Sequence, residues 1–259
     1  MYGISSRSSA AVNVMVLAVQ KAAKSLVRDF CELEKLQVSA KSFGTFVTTA
    51  DARSEDILLN ELSKARPDYE ILTEEKGEVA PSAPAFRLDP LGGYRWIIDP
   101  LDGTTNFWHG IPHFAVSVAL EHRGEVIAGV VYNPITDELY YGEKGKGVFL
   151  NNQRIRVSGR RSLEAALVGL GSPSDHRGNP NLSKVGALRH FGAPSLDLAF
   201  VASGRLDAFF DADLPLWNRA AGIVLVKEAG GLVSSWCGES SLLASNNALH
   251  SSFMHLLAR

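Results

Sequence analysis

The sequence has little cysteine and no strong excess of charge of either sign. Cys31 and Cys237 are the two cysteines; they lie far apart and form no CxxC pair, which argues against a disulfide framework and against a thiolate metal site. The 26 basic and 28 acidic residues give a formal charge of −2, so the composition shows no electrostatic sign of nucleic-acid binding. We therefore expect reduced thiols and a cytoplasmic location.

Long apolar runs are also scarce, and we expect none to be long enough to span a membrane. The apolar stretch 10–19 follows Arg7 but is interrupted by Asn13, and its apolar residues continue at steps of three and four as far as Phe30. This spacing predicts an amphipathic helix packed on the core, rather than a secretory signal. With 259 residues and 46% hydrophobic content, the chain can form one large domain or two smaller ones.

Residues 96–107 carry the most informative pattern. An apolar run with strand character ends in two aspartates, a proline, a glycine and two threonines. Pro100 is expected to end strand pairing, so that both carboxylates enter a turn. Gly103 permits close approach of the backbone to a ligand, and Thr104 or Thr105 is a candidate N-cap of a short helix. Carboxylate oxygens beside amide donors suit a metal-bound phosphate.

Helices and strands are predicted along the rest of the chain. Short strands over residues 36–39 and 43–47 precede a helix that opens at residues 48–51, and residues 76–94 read as a mobile surface loop. Further predicted strands cover residues 69–72, 115–121, 126–132, 138–142, 148–150, 165–170, 206–210 and 232–235, and helices cover 195–203, a segment after Pro215 and the C-terminus. Helices on both sides of a block of strands predict a layered α+β fold.

Three carboxylates follow predicted strand ends, namely Glu74, Asp99 and Asp102. If these strands are neighbours in one sheet, the three side chains converge at its edge, where their repulsion requires a cation. Oxygen ligands without histidine or thiolate favour Mg²⁺ or Mn²⁺ over zinc. Each residue also has an ordinary alternative: Asp102-Gly103 as a turn, Glu74-Glu75 as a solvated charge pair, and Asp51 as a favourable charge in a first helical turn.

Four motifs in order resemble those of the inositol monophosphatase family. They are Val47-Thr48-Thr49-Ala50-Asp51, Thr73-Glu74-Glu75, Asp99-Pro100-Leu101-Asp102-Gly103-Thr104-Thr105-Asn106-Phe107, and Trp217-Asn218-Arg219-Ala220-Ala221-Gly222 with Glu228-Ala229-Gly230-Gly231. The resemblance covers nearly the whole chain and is closest to bacterial members. It implies a layered αβαβα sandwich of the inositol monophosphatase and fructose-1,6-bisphosphatase type. One domain would span 1–259, with a metal- and phosphate-binding part over about 1–150 and a substrate-completing part over 151–259.

The resemblance further implies Mg²⁺-dependent, lithium-sensitive hydrolysis of a small phosphate monoester, with inositol monophosphate as the family default. Glu74, Asp99 and the Leu101 carbonyl would hold one metal. Asp99 and Asp102, with position 218, would hold a second, and Glu74 would also assist a third, weakly held ion.

The same resemblance assigns the remaining site residues. Amides of Gly103 and Thr104, beside Asp102, would hold the phosphate. Thr104, oriented by Asp51, would help to activate the attacking water together with the Glu74 metal. The residues that would contact substrate hydroxyls are Gly192, Ala193 and Asp211.

The chain departs from the family pattern at position 218, where the family carries aspartate. Asn218 can offer an amide oxygen to Mg²⁺ but removes one negative charge, which predicts a weaker second metal and reduced activity. The segment between Gly171 and Arg189 is short, Pro194 replaces a small residue, and residues 236–244 are trimmed. These changes bear on inositol specificity and on the homodimer that the family leads us to expect.

Two alternatives remain open. The same metal core could act on histidinol phosphate, a sugar bisphosphate or a phosphoadenosine nucleotide, because the motifs address the metal and the phosphate rather than the rest of the substrate. Alternatively, the chain is a weakened paralogue that acts by protein contact, as do bacterial relatives that associate with transcription machinery. Asn218 and the shortened segment after Gly171 favour the second alternative, whereas the intact motif after Asp99, with Glu74, Thr104 and Asp51, favours catalysis.

Overall fold

The computed structural model of the chain describes residues 9–36, 40–82, 93–172 and 180–258. The helices in these ranges are α1 (Ala10–Leu36), α2 (Ala40–Ala65), α3 (Thr104–Trp108), α4 (Pro194–Ala202), α5 (Leu216–Glu228) and α6 (His250–Leu257). Two short 3₁₀ helices cover Leu163–Ala165 and Pro180–Lys184.

The strands form two sheets. The first contains β1 (Glu70–Thr73), β2 (Gly77–Val79), β3 (Tyr94–Asp102), β4 (Ala115–His122), β5 (Glu125–Asn133), β6 (Glu138–Glu143), β7 (Gly147–Leu150) and β8 (Gln153–Arg154), in the order β2-β1-β3-β4-β5-β6-β7-β8. The second contains β9 (Leu167–Leu170), β10 (Ala187–Arg189), β11 (Ala208–Asp211), β12 (Leu232–Ser234) and β13 (Leu242–Ser245), in the order β10-β9-β11-β13-β12. The predicted antiparallel meander is confirmed, because β3 to β8 pair successively with their neighbours.

Helix α1 buries one face at the helical spacing that the sequence predicts. Val12, Val16, Val19, Ala23 and Leu26 are all buried and belong to one apolar cluster with the first sheet. The part Ala10–Glu32 is long and apolar enough to cross a membrane by length and composition, so the expectation that no segment reaches that limit is wrong. Core helices of soluble proteins meet the same criterion, and α1 packs on β4, β5 and α2.

The first sheet is covered on both faces, which explains the continuous apolar run in β3. Trp96 and Ile98 join the cluster under α1 and α2, whereas Ile97, on the opposite face, joins the cluster under α4 and α5. The second sheet packs against α4 and α5 on one side and carries α6 on the other. The layers therefore run helix, sheet, helix, sheet, helix, and the predicted αβαβα sandwich is confirmed.

The predicted start of α2 is wrong. Residues 43–47 were expected to form a strand, with a helix opening at 48–51, but α2 already begins at Ala40. Short apolar runs do not distinguish strand from helix, and Phe43, Phe46, Val47 and Ala50 also fit the helical spacing of three and four residues. Of the strand predicted over 36–39, Leu36 ends α1 and residues 37–39 lie outside the described residues.

Two segments predicted as irregular are described only in part. Within residues 76–94, β2 adds an edge strand, and residues 83–92 lie outside the described residues. Within the short segment 171–189, the second 3₁₀ helix and β10 are present, and residues 173–179 lie outside the description. The trimmed segment 236–244 leads into β13, an inner strand of the second sheet that the sequence did not reveal.

Candidate metal and phosphate site

A β-bulge at the end of β3 brings two carboxylates to one face. Asp99 pairs with Ser117 and Asp102 with Ala115, so three steps along β3 oppose two steps along β4. In an unbroken strand, residues three apart point to opposite faces, and the extra residue of the bulge restores them to the same face. The prediction that Pro100 ends the strand is therefore wrong. Pro100 lies inside the bulge, where its missing N–H costs no ladder hydrogen bond.

Strand β1 places a third carboxylate beside this pair. It runs parallel to β3 with Thr73 opposite Ile98, so Glu74 follows β1 where Asp99 follows the apolar part of β3. Glu55 of α2 brackets the turn, since its Oε1 accepts hydrogen bonds from the Thr73 hydroxyl at 2.9 Å and the Lys76 amide at 3.2 Å. The strands are neighbours, so the condition that the sequence set for convergence is met, and the charges of Glu74 and Asp102 act on Asp99.

Asp99 is fully buried, and each of its oxygens accepts a hydrogen bond. The Leu101 amide donates to Oδ1 at 3.1 Å and closes the bulge, while Nδ2 of Asn218 donates to Oδ2 at 2.6 Å. Burial raises the pKa of Asp99 well above its ordinary range, and the charges of Asp102, Glu74 and Asp51 raise it further.

Asp102 accepts hydrogen bonds from α4, which lies in the second part of the chain. The backbone amide of Ser195 donates to its Oδ2 at 2.8 Å, and the Ser195 hydroxyl donates to the same oxygen. Burial raises the pKa of Asp102 to about 7, although these two hydrogen bonds oppose the rise. Asp197, also on α4, is completely buried and neither of its oxygens has a hydrogen-bond partner.

Asp51 completes the acidic cluster on the α2 side. Burial raises its pKa to about 8, with contributions from the charges of Glu75, Glu74 and Glu55. Its Oδ1 is buried without a hydrogen-bond partner. Glu74 and Glu75 are exposed, so the cluster has a buried floor and an open, acidic side.

The donor set fits a hard divalent cation. In the part of the chain that the structure describes, no three His, Cys, Asp or Glu side chains already stand at metal-ligand spacing. However, the raised pKa values of the buried carboxyl groups and the Asp51 oxygen without a hydrogen-bond partner show that the ionised cluster is disfavoured without a counter-ion. Oxygen ligands of this kind are those that Mg²⁺ and Mn²⁺ prefer, so the residues present suit the predicted ion after small side-chain adjustments.

The turn after β3 differs in detail from the prediction. Gly103, with φ of 90° and ψ of 36°, is itself the N-cap residue of α3, so neither Thr104 nor Thr105 has that role. A Cβ at this position would lie 3.0 Å from the His113 carbonyl oxygen and 3.1 Å from Cβ of Ala193. Both the left-handed backbone and the tight packing therefore require glycine.

The Thr104 hydroxyl is exposed and donates to the Leu101 carbonyl at 3.0 Å. A hydroxyl has a single proton, so Thr104 does not donate to Asp51 at the same time, and the predicted Asp51–Thr104 pairing is absent in this arrangement. The oxygen lone pairs of Thr104 remain able to accept a hydrogen bond.

Asn106 connects this turn to the loop that was assigned to substrate. Its Nδ2 donates to the carbonyl of Phe191 at 2.7 Å and to that of His113 at 2.8 Å. Gly192, with φ of 76°, lies against the same amide: a Cβ built on Gly192 would be 3.4 Å from Nδ2 of Asn106. Gly192 and Ala193 thus lie beside the turn after β3, and their contact with substrate hydroxyls stays a prediction. Asn106 is the connecting residue that the sequence reasoning did not single out.

Asp211 is placed differently from the other predicted site residues. It ends β11 in the second sheet, where its Oδ1 accepts from the Asp213 amide at 2.9 Å. Its carboxylate lies so close to Gly171 that a Cβ there would be 1.8 Å from Oδ2. None of these contacts joins Asp211 to the acidic cluster, and its role toward substrate stays a prediction.

The second signature (residues 217–222 and 228–231) is mostly architectural. A Cβ at Gly222 would lie 2.4 Å from the Leu198 side chain, so glycine lets α5 pack closely on α4. The Glu228 carboxylate accepts hydrogen bonds from two amides of the turn between β6 and β7. This packing fixes the N-terminal end of α5, which carries Asn218 to Asp99.

Comparison with known proteins identifies the family of the chain. Residues 9–258 match the model of the inositol monophosphatase family. The chain is 50% identical over 232 residues to an inositol-1-monophosphatase of Rhizobium meliloti, covering 86% of this chain and 84% of the relative. The chain belongs to the inositol monophosphatase family.

Other members of the family carry a different name. The chain is 41% identical over 243 residues to the Nus factor SuhB of Pseudomonas aeruginosa, covering 90% of this chain and 88% of the relative. The crystal structure of the extragenic suppressor protein SuhB from Bartonella henselae is similar with a TM-score of 0.84 and 43% identity, covering 96% of this chain and 99% of that chain. These matches span nearly the full sandwich.

Proposed function

We propose that this member of the family is a Mg²⁺-dependent phosphatase that hydrolyses a small phosphate monoester, with inositol monophosphate as the first candidate substrate. The observation that carries the proposal is the bulge of β3, which places Asp99 and Asp102 on one face beside Glu74 and Asp51. Mn²⁺ is the alternative cation, since it uses the same oxygen ligands.

In this proposal, Glu74, Asp99 and the Leu101 carbonyl hold one ion, and Asp99, Asp102 and Asn218 a second. Bound Mg²⁺ would neutralise the phosphate, lower the pKa of the attacking water and stabilise the leaving alkoxide. Asn218 presents its Nδ2 to Asp99 in the structure. To offer its oxygen instead, the amide must turn over and give up this hydrogen bond, which supports the proposal that the second ion is bound weakly.

The phosphate and water positions follow from the turn after β3. We assign phosphate binding to the amides of Gly103 and Thr104, as the family motif implies. Because the Thr104 proton is directed to the Leu101 carbonyl, its oxygen can accept a hydrogen bond from the attacking water and orient it. Asp51 has a buried oxygen without a hydrogen-bond partner, and its pKa is raised to about 8 in the metal-free protein. A bound cation would lower this pKa, so that the ionised carboxylate could accept a proton from the attacking water.

The test is phosphate release from a panel of monoesters at increasing Mg²⁺ concentration, with and without Li⁺. The panel includes inositol monophosphate, histidinol phosphate, a sugar bisphosphate and a phosphoadenosine nucleotide, which separates the alternative substrates. We expect Mg²⁺-dependent release that Li⁺ inhibits and that Asp102→Asn abolishes. If no ester is hydrolysed faster by the parent than by Asp102→Asn, the phosphatase proposal is wrong.

A second candidate function is a protein contact with transcription machinery. It is supported by the relative named Nus factor SuhB and by Asn218 in place of aspartate. Co-purification with RNA polymerase from cell extract, compared between the parent and Asp102→Asn, tests it. A contact function predicts equal co-purification of the two, whereas no association of either argues against it.

We also propose that the protein is a cytoplasmic homodimer. Cys31 and Cys237 are both free and exposed, which suits a reducing compartment. Sedimentation analysis at several concentrations tests the dimer, and a single monomeric species throughout would contradict it.

A further inference from the structure

Ser195 makes an unusual pair of contacts with a residue of the proposed metal site. It is the second residue of α4 and is completely buried. Its amide, at 2.8 Å, and its hydroxyl both donate to the same oxygen of Asp102, which lies 93 residues earlier in the chain. Amides in the first turn of a helix have no partner within the helix, so Asp102 acts as an N-terminal cap that is supplied by another part of the fold.

These two donors restrict how Asp102 can meet a cation. Oδ2 already accepts two hydrogen bonds, so a cation is expected to bind through Oδ1. The hydroxyl adds a second hydrogen bond to that oxygen, so rotation of the carboxylate about its Cβ–Cγ bond would break both bonds. Hydrogen bonds from protein groups to a metal-binding carboxylate hold it in the binding orientation and preserve its charge.

The same residue joins the two parts of the site. Ser195 lies two residues after Ala193, at the end of the loop that contains Gly192, and this loop is attached to the turn after β3 through Asn106. A displacement of α4 would therefore move both the loop and the Asp102 carboxylate.

We propose that Ser195 is a positioning residue whose hydroxyl fixes the orientation of Asp102 and thereby sets the affinity of the site for Mg²⁺. The inference rests on the proposed Mg²⁺ site, and it extends that proposal to a residue on the other half of the fold. A purely structural role, in which Asp102 only caps α4, predicts instead that loss of the hydroxyl lowers stability but leaves Mg²⁺ affinity unchanged.

The experiment compares Ser195→Thr with Ser195→Val, which have nearly the same shape and differ in the hydroxyl. The dissociation constant for Mg²⁺ alone is measured by calorimetry on the full chain after treatment with EDTA. Ser203→Ala is the matched control, because its hydroxyl donates to the Phe200 carbonyl at the other end of α4. We expect binding in Ser195→Val to be about 10- to 100-fold weaker than in Ser195→Thr, the range seen when support for a metal ligand is removed.

The outcomes separate this inference from the proposed function. Weaker Mg²⁺ binding by Ser195→Val, with Ser195→Thr and Ser203→Ala close to the parent, supports the role of Ser195. Equal binding by the Thr and Val variants overturns it while leaving the Mg²⁺ site intact. If the parent itself binds no Mg²⁺, the proposed function fails and the role of Ser195 fails with it. Circular dichroism of each variant in EDTA confirms that the compared proteins are folded.

Discussion

Replacing Asn218 with aspartate should affect the metal-free and the metal-bound protein in opposite ways. Nδ2 of Asn218 donates to Oδ2 of the fully buried Asp99 at 2.6 Å. The variant Asn218→Asp loses this hydrogen bond, which contributes about 0.5–1.5 kcal/mol when Asp99 is protonated and about 1.5–3 kcal/mol when it is ionised. It also places two carboxylates in contact, and at this distance the repulsion reaches about 6 kcal/mol with an effective dielectric constant of about 20.

Protonation of one carboxyl limits this penalty at neutral pH, because two carboxylates in contact share a proton instead of both ionising. We therefore expect Asn218→Asp to lower the free energy of unfolding in EDTA by about 2–4 kcal/mol. Bound Mg²⁺ should reverse the effect, since the added carboxylate is a stronger ligand than the amide. The Mg²⁺ affinity is expected to rise at least tenfold, and turnover should rise or need less Mg²⁺.

Urea denaturation in EDTA and in saturating Mg²⁺, together with Mg²⁺ titration of phosphate release, measures these quantities. Asn133→Asp is the control for a buried carboxylate away from the site. Oδ1 of Asn133 accepts from two turn amides, which aspartate can also do, and only the long hydrogen bond from Nδ2 to the Pro112 carbonyl, at 3.5 Å, is lost. Unchanged stability in EDTA together with unchanged Mg²⁺ dependence in Asn218→Asp would refute the reasoning from the Asn218–Asp99 contact.

Three further outcomes follow from individual groups. The pKa of Asp51 is raised from 3.8 to about 8, so between these values the folded state retains a proton that the unfolded chain has lost. The free energy of unfolding in EDTA should therefore fall as pH rises toward 8. This dependence on pH should be weaker in Asp51→Asn and in the presence of Mg²⁺, and urea denaturation at a series of pH values measures it. Gly103→Ala should cost about 1–2 kcal/mol more than Gly110→Ala in the same assay, because both have positive φ but only Gly103 is crowded. Gly222→Ala should lower stability by about 1–3 kcal/mol, because a methyl group would force α5 away from Leu198. The same shift should weaken Mg²⁺ binding, and unchanged Mg²⁺ affinity would show that α5 tolerates it.

Local patterns in the sequence were sufficient where neighbouring residues decide the structure. The turns between β4 and β7 come from short local signals, and the meander forms as expected. Glu74 and Asp99 each follow an apolar strand, and parallel pairing of β1 with β3 brings them together. The motifs also identified the family, because their order along the chain reflects the whole sandwich.

The sequence was insufficient where a distant partner decides the local structure. Pro100 has no N–H to donate and should end a strand, yet β3 and β4 pair on both sides of it because the proline lies in a bulge. The start of α2 was missed because a short apolar run fits both a strand and a helix.

The individual contacts of the site show the same division. The sequence by itself predicted which carboxylates to expect together, since residue type and position relative to strand ends indicate them. Only the tertiary structure decided what holds them: Ser195 reaches Asp102 across 93 residues and Asn218 reaches Asp99 across 119. Such contacts depend on how the layers of the sandwich pack, and packing between distant segments leaves no periodic signal in the chain.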